Sequence, residues 1–222
     1  MMRVLDDWAP GALVPIYRLD QMMAEQQQVV IVGGGVIGLL TAFNLASEGQ
    51  RVVLLDRSNV GQESSWAGGG IVSPLYPWRY SPGVTGWAHW SQDFYPQLGE
   101  RLFAATGIDP QVHVTGLYWL DLDDQDEALA WAQREGRPLR AVDISAVHDA
   151  VPVLGAGFSR AIYMADVANV RNPRLVKSLK AALQALPNVT LHEHCEVSGF
   201  IRDGGRVVGV DSSVGPLRGD QV

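Results

Sequence analysis

The residues best placed to do chemistry are a glycine run, Gly33-Gly34-Gly35-Val36-Ile37-Gly38, and an acid, Asp56, about 20 positions later. The run has the spacing G-x-G-x-x-G. In it the first glycine permits a tight turn, the second lets a pyrophosphate approach the backbone, and the third lets a helix pack on a strand. The chemistry implied is recognition of a nucleoside diphosphate: backbone amides and a helix N-terminus for the phosphates, and the Asp56 carboxylate for ribose hydroxyls. An acid there disfavours a 2′-phosphate. Taken alone the run is weak evidence, because a plain βα turn can share it.

The elements around these residues strengthen the reading. Gln28 to Val32 is a β-branched run suited to a buried parallel strand, Val36 to Ser47 a helix closed by Glu48-Gly49-Gln50, and Arg51 to Leu55 a second strand that delivers Asp56. Strand, turn, helix and acid-ended strand are separate requirements, and all are met. The apolar stretch Val29 to Ala46 is read as strand, turn and helix rather than a membrane span, because Gly33, Gly34, Gly35 and Gly38 interrupt it and Thr41 and Asn44 follow. This fingerprint does not separate NAD from FAD.

A second glycine run follows in Ser64-Ser65-Trp66-Ala67-Gly68-Gly69-Gly70-Ile71-Val72-Ser73-Pro74-Leu75-Tyr76-Pro77-Trp78-Arg79-Tyr80. On these residues the chain resembles the FAD-dependent D-amino-acid oxidase superfamily, and within it the bacterial glycine oxidases of thiamine biosynthesis, from about residue 28 to the end. The resemblance implies an α/β fold, mixed α+β overall: a Rossmann-like FAD-binding domain (residues 28–86 and 158–222, incomplete) with an inserted antiparallel-sheet substrate domain, of which residues 87–157 form part. Residues 1–27 are expected to be a leader, mis-started or disordered. The resemblance implies that Val36, Ile37, Asp56 and Arg57 line the adenosine-diphosphate half of FAD. It places Ser64, Ser65, Ala67, Gly68 and Gly69 nearer the flavin, and the Val197 backbone on the adenine. Glycines without Cβ let amides lie against a flat ring, and the two serines offer hydroxyls to phosphate.

The implied reaction is FAD-dependent oxidation of glycine or another small amino acid to an imine. The imine hydrolyses to an oxo acid and ammonia, oxygen leaves as hydrogen peroxide, and the pathway link is to the thiazole of thiamine. In the family the carboxylate-binding arginine and its tyrosine partner come from a C-terminal third expected to lie beyond this chain. Arg79 is a weak substitute, able to gate the pocket or orient substrate, with an exposed structural arginine at least as well supported. Two other readings stay open: an FAD-binding fragment without catalysis, expected to expose an unpaired sheet edge, and an NAD-dependent dehydrogenase with a coincidental second loop. Sarcosine and small D-amino acids remain alternative substrates.

The remaining pattern predicts a helix from Trp87 to Thr106 whose apolar face (Trp87, Trp90, Phe94, Leu98, Leu102, Ala105) packs as core. It also predicts a strand His113 to Leu120, a helix Asp124 to Arg134, a short extended piece Arg137 to Val142 and a strand Arg160 to Met164. A helix from Pro173 to Leu186 follows, capped by Asn172, then a strand His192 to Phe200 and a hairpin-like pair, Val207 to Val210 with Val214 to Leu217.

Three tempting sites fail on spacing. On a strand His192 and His194 share a face that Cys195 does not, Asp121 to Asp126 lacks the glycine and twelfth-position acid of a calcium loop, and Gly157-Phe158-Ser159-Arg160-Ala161 misses the last glycine of a nucleophile elbow. No metal site is expected. A net charge of −7, with Lys177 and Lys180 the only lysines, argues against nucleic-acid or polybasic membrane partners; the resemblance implies a small amino acid and molecular oxygen as partners, with a second copy of the chain as a further expectation. A single cysteine, Cys195, gives no intrachain disulfide, so cytoplasm is the default compartment.

Overall fold

The computed structural model describes residues 27–222, so nearly all of the expected leader lies outside the described residues. The β-branched run forms β1 (Gln28–Val32), followed by α1 (Val36–Ser47) and β2 (Arg51–Leu55). After the inserted elements the chain returns through α6 (Asn172–Gln184) to β9 (Val189–His192). These strands form a parallel sheet of order β1-β2-β9, and Gln221 bridges in parallel to Val29 on the outer edge of β1. Alternation along β2 divides the core in two. Val52 and Leu54 face α1 and α6, meeting Leu39, Phe43, Leu179 and Leu183, whereas Val53 and Leu55 face Val30, Cys195 and Val210. The second face is covered by an antiparallel meander, β10 (Val197–Asp203), β11 (Arg206–Ser212) and β12 (Gly215–Arg218).

Between β2 and α6 lie one helical turn, α2 (Ser64–Ala67), then β3 (Ile71–Val72), a 3-10 turn (Pro77–Arg79) and the long helix α3 (Pro82–Thr106). There follow β4 (His113–Val114), β5 (Leu117–Leu120), α4 (Gln125–Glu135), β6 (Leu139–Val142), α5 (Ile144–Ala150), β7 (Ala161–Met164) and β8 (Ala168–Asn169). They build two small antiparallel sheets, β3-β8-β4 and β5-β7-β6, the second over a cluster of Trp78, Trp119, Trp131, Ile162 and Met164.

Several expectations need correction. The long helix begins at Pro82, whose fixed φ and missing N–H suit a first helical position, rather than at Trp87. Its apolar stripe is core only in its C-terminal half: Leu98 and Leu102 are fully buried, but Trp87 is 75% exposed, Trp90 49% exposed and stacked on Phe94, and Ala105 exposed. Periodicity specifies a face, not what lies opposite it. The strand expected over His113 to Leu120 breaks at Gly116 (φ +71°), where the amides of Thr115 and Gly116 both donate to Val167 O, so its halves join different sheets.

The strand expected over His192 to Phe200 is likewise two strands. The chain turns a corner at His194 (φ +55°), which removes the shared strand face assumed for His192 and His194. Asn172 is not a cap but the first residue of α6, with Arg171 at the cap position making no side-chain bond to it. The short helices α2 and α5 have no counterpart among the sequence expectations, being too brief for a periodic signal.

The turn between β1 and α1 permits a direct test. A Cβ on Gly38 would stand 1.9 Å from Gly33 O, a backbone atom, whereas one on Gly35 would meet only Ser65 Oγ, at 3.3 Å. Gly38→Ala is expected to cost about 3 kcal/mol or more in urea unfolding and Gly35→Ala less than about 1 kcal/mol. Equal costs would contradict this close packing.

Candidate cofactor-binding site

The site is built where the two glycine runs meet. Gly33 takes φ +103°, open to glycine and strained for other residues, and its N–H donates to Leu55 O at 2.8 Å, turning the chain out of β1. Gly35 then caps α1 in an extended conformation without a side chain, and the first turn of the helix carries no acid. Its first-turn amides have no partner within the helix, and the helix dipole leaves them electropositive. One is used internally: Val36 N–H donates to Ser65 Oγ at 2.9 Å. That bond joins the fingerprint directly to the second glycine run.

Asp56 ends β2 beside this turn. Its Oδ2 accepts from Gly34 N–H at 2.6 Å, and its Oδ1 accepts from Ser58 N–H at 2.8 Å and Ser58 Oγ at 3.1 Å. A carboxylate offers about four acceptor directions, so with three donors engaged Oδ2 keeps one for a hydroxyl. Arg57 points outward, in a loose 3.5 Å pair with Glu63.

Steric demand separates the glycines by role. In the second run Gly70 has φ +74° with Val170 O, a backbone atom, 2.1 Å from its Cβ position, so the fold itself requires it, whereas a Cβ on Gly68 would meet only the side-chain end of Asn172, Nδ2 at 2.5 Å. Gly69 has nothing within 4 Å, and Gly35 only Ser65 Oγ; neither has a positive φ. The folded chain gives no reason for glycine at these two positions, whereas a phosphate against one and a flat ring against the other would. The residues present therefore fit a flavin dinucleotide. Ile37 is 76% exposed beside Gly35, and Ser64, Ala67, Gly68 and Gly69 are exposed on the neighbouring turn. Val197 begins β10 opposite Ser212 and packs partly buried against the second core.

Sequence reasoning missed several residues that hold this region in place. Ser58 clamps Asp56, Asn172 fills the space beside Gly68, and Glu193 accepts from Val60 N–H at 2.9 Å while pairing with Lys180 Nζ at 2.6 Å. Lys177 lies over the Trp66 ring at 5.7 Å. Ser58 is local, two residues beyond Asp56, whereas Asn172, Lys177, Lys180 and Glu193 are brought in from far along the chain by the return of α6 and β9. Among the described residues no group of three His, Cys, Asp or Glu side chains could hold a metal ion, and no helix is long and apolar enough to cross a membrane.

Arg79 is committed elsewhere. Its Nε donates to Asp124 Oδ2 at 2.7 Å and its Nη2 to Oδ1 at 2.9 Å, a bidentate pair, with its guanidinium 4.2 Å from the Tyr76 ring centroid. Trp78 Nε1 donates to the same Oδ2 at 2.7 Å. Asp124, expected as the first residue of its helix, stands instead at the cap position of α4 and anchors the Pro77–Arg79 turn without bonding the amides of that helix.

A family model described as FAD dependent oxidoreductase matches residues 28–221. The chain is 74% identical over 196 residues to a glycine oxidase of Pseudomonas putida and 65% identical to one of Pseudomonas aeruginosa, in each case over 88% of this chain and 54% of the relative. The solved structure of a glycine oxidase from Bacillus cereus superposes with a TM-score of 0.77 at 27% identity, over 86% of this chain and 53% of that one. The chain thus spans about half the length of the curated relatives it matches.

The Asp124 anchor is expected to respond to acid. The Arg79 hydrogen bond, aided by the Trp78 N–H, lowers the Asp124 carboxyl from its ordinary 3.8 to about 2. A lowered carboxylate stabilises the fold in full above the unfolded value and loses that contribution as pH falls through the folded one. The gap in thermal midpoint between the wild type and Asp124→Asn should therefore be flat near neutrality and close between 3.8 and about 2. Trp fluorescence during heating reads it; a gap independent of pH would show that the charge of Asp124 contributes nothing.

Proposed function

This chain belongs to the FAD-dependent oxidoreductase family, and from that premise we propose that it holds FAD across its two glycine runs and serves the oxidative deamination of glycine or another small amino acid. On this reading the diphosphate lies against Gly33, Gly35 and Gly38, beside Val36 and at the amide of Ile37. Asp56 takes a ribose hydroxyl with Arg57 at the rim, the Val197 backbone meets the adenine, and Ser64, Ser65, Ala67, Gly68 and Gly69 line the flavin end. The observation that carries it is the 2.9 Å bond from Val36 N–H to Ser65 Oγ, which keeps the phosphate end and the ring end of one continuous cradle side by side. Ser65 accepts in that bond, so its own hydroxyl proton is free to turn toward a phosphate oxygen.

When bound, the flavin supplies the two-electron acceptor that amino-acid side chains lack. Substrate gives up two electrons and two protons from its Cα–N unit, water converts the imine to an oxo acid and ammonia, and oxygen takes the electrons to become hydrogen peroxide. The link to thiazole formation for thiamine and a cytoplasmic setting belong to the same reading. So does the division into an FAD-binding domain of residues 28–86 and 158–222 and part of a substrate domain at residues 87–157.

One observation supports a second reading, FAD binding without turnover by this chain. A substrate carboxylate calls for a free bidentate arginine, and the fork of Arg79 is already closed on Asp124.

Titration of the chain with FAD, followed by quenching of flavin fluorescence and by retention of the yellow bands through desalting, tests the cofactor reading. Asp56→Ala should weaken FAD by about tenfold, the loss of one charged hydrogen bond, and Gly35→Val by more because its side chain enters the phosphate space. A folded chain that takes up no FAD, or is protected instead by NAD, refutes the reading. Peroxide release from the loaded chain with glycine supports turnover; a flavin-loaded chain silent with glycine, sarcosine and small D-amino acids supports the second reading.

A further inference from the structure

The corner between β9 and β10 is stitched to the loop that starts at Asp56. Asp56 N–H donates to His192 O at 2.9 Å, Cys195 N–H to Asp56 O at 2.8 Å and His194 N–H to Ser58 O at 3.2 Å. Glu193 projects from this corner with both oxygens engaged, Oε1 by Val60 N–H at 2.9 Å and Oε2 by Lys180 Nζ of α6 at 2.6 Å. Val60 is 2% exposed and forms the floor under Gly34: a Cβ on Gly34 would stand 2.5 Å from Val60 Cγ1 and 3.1 Å from Asp56 Oδ2. Gly61, at φ +70°, is pressed against Val176 of the same α6, whose Cγ1 would lie 2.2 Å from an added Cβ. The loop from Asp56 to Gly61 is therefore fixed at both ends, by β9 at the first and by α6 through Glu193 at the second.

Burial alone does not call for an ion pair here, since an apolar pair of similar volume covers a core as well and avoids desolvating two charges. What the pair adds is a directional acceptor for one backbone N–H. Burial pushes the Glu193 carboxyl up, but the Lys180 hydrogen bond, the Val60 N–H and the charges of Lys180 and His194 outweigh it and leave it below its ordinary value, so it is an anion at neutral pH.

Resting on the reading that the two glycine runs hold FAD, we propose that Glu193, braced by Lys180, is a positioning residue for the adenosine half of the cofactor. By fixing Val60 it fixes Gly34, and by fixing Gly34 it sets the Asp56 carboxylate toward the ribose. It touches no part of the nucleotide itself.

The test uses the 222-residue chain as wild type, Glu193→Ala, Glu193→Gln and Lys180→Met. FAD binding is read by flavin fluorescence, ADP binding by competition, and the folded fraction by circular dichroism. Glu193→Ala is expected to weaken both FAD and ADP by about tenfold, the effect of losing one charged hydrogen bond. Glu193→Gln should recover most of that loss, because its Oε1 still accepts from Val60 N–H. A merely structural charge pair predicts the opposite: a lower folded fraction in both Glu193 variants, with affinities per folded molecule that stay at the wild-type value. Should Glu193→Ala fail to fold, Lys180→Met, which loosens the acceptor without removing it, should weaken ADP by about threefold. Unchanged ADP affinity in the folded variants overturns the proposal. Wild-type chain that is folded but binds no FAD overturns the cofactor reading and this inference with it, whereas wild type that binds FAD as tightly as Glu193→Ala overturns this inference alone.

Discussion

The site depends on one close approach of backbone to backbone. Helix α1 lies so near the turn leaving β1 that a Cβ at Gly38 would sit 1.9 Å from the Gly33 carbonyl oxygen. Only hydrogen fits in that gap, and while it is kept α1 starts directly at the end of β1 with its first amides pointing out of the sheet. If it opened, the helix would tilt and its N-terminus would leave the space where a diphosphate needs it. The remaining features of the site take their positions from that contact. Leu39, Phe43 and Ala46 bury the inner face of α1 against α6 and β2, Asp56 reaches back to Gly34 N–H, and Ser65 reaches across to Val36 N–H.

The parallel sheet is covered by two different devices. Helices close one face, and a three-stranded antiparallel meander closes the other, with Val53 and Leu55 meeting Cys195 and Val210. Period-two alternation in β2 lets one strand serve both layers. The inserted elements form their own core of three tryptophans joined edge to face or tilted, and Asp124 ties this core to the Pro77–Arg79 turn by accepting from both an indole and a guanidinium. An arginine next to the second glycine run thereby becomes part of the scaffold rather than a free group for an anionic substrate.

The two glycine runs illustrate how one residue type answers different demands. Gly33 and Gly70 supply positive φ, Gly38, Gly68 and Gly70 supply room for neighbouring atoms, Gly35 borders only the Ser65 hydroxyl, and Gly69 leaves space with no protein atom within 4 Å. Sequence spacing marks all of them alike, and only the tertiary structure distinguishes those that neighbouring atoms crowd from those left open.

By itself the sequence determined the elements whose signal is local: the β-branched strands β1 and β2, the helix between them, the acid that ends β2, and the second glycine run whose order of residues carries the family. Those follow from side-chain branching, from glycine at positions where a Cβ clashes, and from periodicity within a dozen residues. The tertiary structure decided what depends on residues far apart in the chain. It broke His192 to Phe200 at a left-handed corner so that Glu193 could reach Val60, left Trp87 and Trp90 on an exposed half of α3, and closed Arg79 on Asp124. A helical stripe or a strand pattern states which side chains share a face; what that face meets is fixed only when distant segments pack, because the partner's position is written elsewhere in the chain.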